Sequence, residues 1–217
     1  MQQLLSRWTE FKHKARLWSL GLNHDARYRT YLRIQFERAL PRRRQPLMKR
    51  TRSLVDRLLE LSETRLKGPV LCIGCRNSAE VEYFKSKGLS NVVGIDLFSE
   101  SPDILVMDMQ HMTFPDNHFE IIYASHSLEH ADDVRQVIKE IVRVARPGAR
   151  VAVEVPVKYE TQGADLVDFR DCQTLHLAFQ PYLGRVIWAD ERPPHSPDNE
   201  SGTSIIRTVF VLQKDTP

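Results

Sequence analysis

The sequence predicts an α/β fold: a doubly wound, mostly parallel seven-stranded sheet preceded by a helical cap. Three observations predict it. From residue 70 onward, short apolar runs alternate with stretches of helical period, the pattern of strands joined by crossover helices. The first 67 residues hold helical patterns only, so the chain divides into a cap over 1–67 and a sheet domain over 68–217. At 217 residues, 41% hydrophobic and 27% charged, it suits one α/β domain with an extension, not two enzymatic domains.

The elements follow in order. Leu4, Trp8, Phe11, Ala15 and Trp18 form an apolar stripe at helical spacing, with Arg7, Lys12 and Lys14 off it. A second helical stretch, about 25–40, stops before Pro41, and Pro41-Arg-Arg-Arg-Gln-Pro46 is a joint with a proline at each end. Leu54, Val55, Leu58, Leu59 and Leu66 give the inner face of a third helix that ends at Gly68-Pro69. VLCIG then reads as strand one, SAEVEYFKSKG as a helix, NVVGID as strand two, ILVMD as strand three and FEIIYAS as strand four. DDVRQVIKEIVRVARPG is a strongly amphipathic helix, acidic at its start and closed by Pro147-Gly148. RVAVEVPV, RVIWADE and SIIRTVFVLQK supply strands five to seven, with a helix in CQTLHLAFQPYLG.

Charge is unevenly placed. Residues 1–67 carry 17 Lys/Arg against 6 Asp/Glu, whereas the remainder carries 14 against 22. A basic first third either recruits an anionic partner or docks on the acidic body. No eighteen-residue apolar window occurs, and MQQLLSRWTEFKHKARLWSL lacks a signal-peptide core, so a cytoplasmic protein is expected. Three cysteines make no disulfide framework. Cys72, Cys75, Cys172 and His176 outline a zinc site on paper, but Cys72 falls within a strand, and no metal is expected.

Four features converge on the carboxyl ends of the strands, where an open α/β sheet binds its ligand. Gly74, in the turn Gly74-Cys75-Arg76-Asn77 after strand one, lets a ligand approach the backbone beside a helix amino terminus. Asp96, followed by Leu97, ends strand two, where a carboxylate accepts from both hydroxyls of a ribose. Asp108-Met109 ends strand three, suited to an adenine amino group and ring. Ser125-His126 ends strand four, and His126, with an ordinary pKa near neutrality, is the candidate general base.

The strings VLCIGCRN, VVGIDLF, DMQHMTFPDNHFEIIYASHSLEH and EIVRVARPGARVAVEVP resemble the class I S-adenosylmethionine-dependent methyltransferases of the type 11 group. The resemblance covers residues 69–157 well and 171–213 loosely. It implies a Rossmann-like methyltransferase fold, S-adenosyl-L-methionine as cofactor and methyl transfer to a small-molecule acceptor. It also implies Gly74, Cys75, Arg76, Asn77, Asp96, Leu97, Asp108, Met109 and Ser125 as cofactor contacts, and a cap lying over the carboxyl edge of the sheet. The sequence departs from the family at Cys72, where an acidic residue is usual, and at Arg76 and Ser78, where later glycines are usual. Two readings follow: a pseudoenzyme, or a rewired pocket in which Arg76 pairs with the cofactor carboxylate.

Other classes stay open. His126-Ser-Leu-Glu129-His130 matches the inverted zinc-peptidase signature, although it follows a strand rather than lying in a helix. G-x-G-x-x-G is absent, which disfavours a dinucleotide dehydrogenase. Arg42, Arg43, Arg44, Lys49, Arg50 and Arg52 suit a nucleic-acid backbone, and a basic amphipathic helix suits an anionic membrane surface. Neither is preferred over a saccharide or another polar metabolite, methylated at oxygen or nitrogen.

Overall fold

The computed structural model describes residues 26–61, 67–161, 165–197 and 199–214. The stripe Leu4, Trp8, Phe11, Ala15 and Trp18, and Leu66 of the third helix, lie outside the described residues. Helix α1 (Ala26–Ala39) runs into a 3-10 turn (Leu40–Arg42), and α2 (Lys49–Glu60) follows. The sheet domain then runs β1 (Val70–Ile73), α3 (Ala79–Ser86), β2 (Val92–Asp96), β3 (Ile104–Val106) and β4 (Phe119–Ser125). A 3-10 turn (Leu128–His130) leads to α4 (Val134–Val144), β5 (Ala145–Val157), α5 (Cys172–Ala178), β6 (Leu183–Arg192) and β7 (Ser204–Leu212).

The seven strands form one sheet in the order β3-β2-β1-β4-β5-β7-β6, with β7 antiparallel to both neighbours and the first five parallel. Right-handed crossovers explain why the chain starts in the middle of the sheet and moves outward twice. The reversal between β1 and β4 opens a crevice at their carboxyl ends.

Both faces of the sheet are covered. On one, α4 buries Val137, Ile138 and Ile141 against Leu71, Ile122 and Val153. On the other, Leu54, Val55 and Leu58 of α2 join Val81 and Phe84 of α3 against Val70, Ile121 and Tyr123. Helix α2 therefore shares the sheet's own core. The side chain of Asp133 caps α4 by accepting from the amides of Arg135 and Gln136. Arg143, in the last turn of α4, donates to the carbonyls of Met112 and Phe114 and to Asp116, fixing the Thr-Phe-Pro-Asp-Asn turn ahead of β4.

Two boundaries differ from the sequence expectation. Helix α4 stops at Val144, not at Pro147-Gly148, because Ala145 already has extended backbone and pairs with Phe119 as the start of β5. Strand β3 ends at Val106, short of Asp108. Past it the Asp108 side chain accepts from the Gln110 amide, which turns the chain away from the sheet.

Candidate active site at the carboxyl edge of the sheet

Gly74 begins the site. Its φ is +75°, and a Cβ there would lie 2.4 Å from the Ser127 Cβ, so the loop after β1 can pass the turn after β4 only as glycine. Arg76 (φ 39°) and His126 (φ 51°) also have left-handed backbone, a costly conformation that gathers at this crevice. The Gly74 amide donates to the Ile95 carbonyl and the Arg76 amide to Asp96 Oδ2 (2.8 Å), which ties the loop to the end of β2. Asp96 Oδ1 accepts from the Phe98 amide (2.8 Å). Each carboxylate oxygen keeps a free lone pair, so a diol can still be accepted. Burial raises the Asp96 pKa, and the two backbone amides oppose that rise.

Two adjoining cavities lie along this edge. A narrow one, of about 70 Å³, is lined by Asp96, Leu97, Phe98, Met109 and, from α1, Tyr31 and Gln35. A wider one, of about 420 Å³, is lined by Asn77, Glu80, Ser125, Glu129, Tyr159 and Asp165, among others. Gly74, Arg38, Arg42, Arg76, His126 and His130 border both, at the junction.

The structure thus gathers Gly74, Arg76, Asp96, Leu97 and Met109 around the narrow cavity, while Cys75, Asn77 and Ser125 border the wide one. Cys75 is 4% exposed, and its thiol reaches the Cys72 and Ile95 carbonyls, so its side chain is turned inward. Asn77 holds the cap: its amide donates to the carbonyls of Arg43 and Gln45 in the proline-bounded joint. Asp108 borders neither cavity. It is buried and accepts from the Tyr28 hydroxyl of α1 and from the Gln110 amide, so its carboxylate is turned to the protein itself. Burial and that same carboxylate push the Tyr28 phenol pKa far up, which keeps it a donor.

His126 departs from its sequence expectation. Its ring lies between two buried carboxylates, with Nε2 3.2 Å from Glu154 and Nδ1 3.5 Å from Glu129. Burial works to lower its pKa, but the hydrogen bonds to Glu129 and Glu154 outweigh it and push the value up to about 9. At neutral pH His126 is an imidazolium and has no lone pair to take a proton, so the reasoning from an ordinary pKa does not hold. Ser125 Oγ (3.2 Å) and Arg50 Nε (3.2 Å) complete the ring of groups on Glu154, which is fully buried on β5. Sequence reasoning missed Glu154, whose signal was a carboxylate within the apolar run Val151–Val157. It also missed Glu80, whose carboxyl burial and then Asp96 push up to about 8.

The zinc and peptidase arrangements do not form. His176 Nε2 meets Thr208 Oγ1, and among the described residues no three His, Cys, Asp or Glu side chains make a metal-holding group. His130 lies on a 3-10 turn with Nδ1 2.9 Å from Asp165 and Nε2 3.9 Å from Glu129, whereas His126 Nε2 faces Glu154, so the two histidines do not converge as a helical metal pair. Part of the basic run is already paired: Arg50 turns inward to Glu154, Arg43 meets Glu100, and at the surface Lys49 meets Glu200 and the Arg52 guanidinium lies over the Tyr83 ring. Among the described helices none is long and apolar enough to cross a membrane.

Comparison with known proteins agrees with this geometry. Residues 71–153 match the family described as a methyltransferase domain. The chain is 36% identical over 80 residues to the methyltransferase GfsG of Streptomyces halstedii, covering 36% of this chain and 26% of that protein. It is 29% identical over 119 residues to the 27-O-demethylrifamycin SV methyltransferase of Amycolatopsis mediterranei, covering 48% and 44%. The match therefore spans less than half the length of these relatives. Among solved structures, the 1,6-didemethyltoxoflavin-N1-methyltransferase of Burkholderia thailandensis, with bound S-adenosylhomocysteine, superposes with a TM-score of 0.60 at 15% identity, covering 76% of this chain and 79% of that one. Strand order, matched segment and relatives agree: this chain carries a class I S-adenosylmethionine-dependent methyltransferase domain.

Proposed function

We propose that this chain transfers a methyl group from S-adenosylmethionine to oxygen or nitrogen of a small polar acceptor, such as a saccharide. The observation that carries the reading is the pair of cavities meeting at Gly74, Arg76 and His126, one bordered by Asp96 and the other of about 420 Å³ and lined by polar side chains. That volume falls in the range of small-molecule sites. The donor set fits the cofactor: Asp96 for the ribose hydroxyls, Gly74 for close backbone approach, and Arg76 for the carboxylate. When bound, S-adenosylmethionine supplies an electrophilic sulfonium methyl.

The chain's own residues contribute mainly position. Asp96, locked by the Arg76 and Phe98 amides, presents acceptor oxygens at a fixed place. His126, an imidazolium with both ring nitrogens turned to Glu129 and Glu154, fixes the wall between the two cavities and takes no proton from an acceptor. Glu80, with a pKa of about 8 and a place on the wide cavity, is largely protonated at neutral pH and takes a proton only as pH approaches 8. The pairing of Arg43 with Glu100 and the inward pairing of Arg50 with Glu154 favour the small-molecule acceptor over nucleic acid.

Calorimetry with S-adenosylmethionine and S-adenosylhomocysteine tests the reading, followed by release of S-adenosylhomocysteine over a panel of sugar and metabolite acceptors. Micromolar binding of both ligands is expected. Absence of binding by the intact protein would leave a non-catalytic domain.

A further inference from the structure

Most charges along the crevice form direct ion pairs, and two guanidiniums do not. Arg38 Nη1 lies 2.7 Å from Asp165, the carboxylate that also holds His130. The two hydrogen bonds and the adjoining charges outweigh burial and hold Asp165 well below the ordinary carboxylate range. His126 lies between Glu129 and Glu154, and Arg50 rests on Glu154 from the other side. Lys49 meets Glu200 at the rim, and Glu80 is largely protonated at neutral pH. Arg42 and Arg76 border both cavities, and neither guanidinium has an ion-pair or hydrogen-bond partner among the described residues. Partial burial and then the neighbouring Arg38 and Arg76 hold Arg42 below the ordinary arginine range, outweighing the nearby Asp165.

S-adenosylmethionine brings one carboxylate to this crevice, and two free guanidiniums face it. The two sit on different elements. Arg76 belongs to the loop bonded to Asp96, on the cofactor's side, whereas Arg42 comes from the cap joint between Pro41 and Pro46. We propose that the acceptor carries an anionic group, a carboxylate or phosphate, which Arg42 binds while Arg76 holds the cofactor's carboxylate. The proposal rests on the methyl-transfer reading above and narrows its acceptor from polar to anionic. A planar fork on a turn preset by proline is suited to bidentate capture of either oxyanion. Arg42 is exposed and makes no ion pair among the described residues, so its charge is open to an anionic acceptor.

The test uses the full chain saturated with S-adenosylhomocysteine at low ionic strength, titrated with inorganic phosphate and, separately, with acetate. Millimolar binding of at least one anion is expected. Arg42→Gln should weaken it at least about fivefold and leave S-adenosylhomocysteine affinity unchanged, while Arg44→Gln, on the exposed neighbouring side chain, should alter neither. Anion binding unaffected by Arg42→Gln, or no anion binding by the saturated parent, would overturn the assignment. Loss of S-adenosylhomocysteine affinity in Arg42→Gln would overturn it too, by giving Arg42 to the cofactor. If the parent binds no S-adenosylhomocysteine, the methyl-transfer reading itself falls, a result distinct from the others.

Discussion

His126 should titrate near pH 9, and the fold should lose stability as it does. Its ring lies 3.2 Å from Glu154 and 3.5 Å from Glu129, and only 20% of the side chain is exposed, so water screens these contacts weakly. The folded pKa of about 9 lies above the ordinary 6.5, so the native state binds this proton more tightly than the unfolded chain. The stabilisation is complete below about pH 6.5 and fades as pH rises through about 9. At ~1.36 kcal/mol per pKa unit, the gap corresponds to about 3 kcal/mol. Urea unfolding of the parent and of His126→Gln, at about pH 6 and about pH 9.5, reads it as a difference of differences. The parent should lose about 3 kcal/mol more than the variant over that interval. Glu80, raised to about 8, loses stability over the lower part of that interval, up to about pH 8, in both proteins and largely cancels. The ring-proton resonance of His126 followed by NMR gives the midpoint directly. A midpoint at or below about 7, or equal losses in the two proteins, would falsify the buried-imidazolium account.

Three further outcomes are expected. Asp96→Ala should weaken S-adenosylhomocysteine binding by about 1.5–3 kcal/mol, roughly tenfold or more by calorimetry, since a charge-assisted contact to the ribose diol is lost. Unchanged affinity would move the pocket elsewhere. Arg76→Lys should also bind more weakly, because an ammonium cannot give the two-pronged contact to a carboxylate; a lysine variant equal to the parent would return Arg76 to a solvated role. Tyr28→Phe should lower folding stability by about 1–3 kcal/mol in urea unfolding, since it removes a donor from the buried Asp108 carboxylate; an unchanged midpoint would mean that this contact does not hold the cap.

Legibility followed the range of the interaction. The α4 stripe, its acidic start and the apolar strands are local patterns, and each lay within a residue or a few of where the sequence put it. Gly74 and Asp96 could be read because the turn and the strand end that require them are adjacent in sequence. His126 could be located but not understood: the group that sets its charge state, Glu154, is one strand over, joined only by the β4–β5 register that aligns Ser125 with Glu154. Tyr28 on Asp108 and Arg38 on Asp165 are longer reaches still, between a cap helix and loops of the sheet domain. No periodicity encodes such pairs. Asp108 shows the cost, since a carboxylate read as waiting for a ligand already has an internal donor.

The basic first third can be understood through the same pairs. Arg27 meets Asp132, Arg38 meets Asp165 and Arg43 meets Glu100, so the described cap docks its positive charge on the acidic body. Exposed pairs contribute little each, about 0–1 kcal/mol, and orient the cap more than they hold it. Apolar contact holds it: Tyr28, Tyr31 and Leu32 pack with Leu97, and Phe36 meets Phe98 edge to face with ring centroids 5.0 Å apart. Leu97 and Phe98 directly follow Asp96, and the Phe98 amide is one of the two groups that fix its carboxylate. The segment that seats the cap is therefore the segment that positions Asp96, the proposed ribose acceptor. Ligand at Asp96 and the seating of α1 must bias one another, because a shift of Phe98 moves both. Cap substitutions that touch no ligand should on that account still change cofactor affinity.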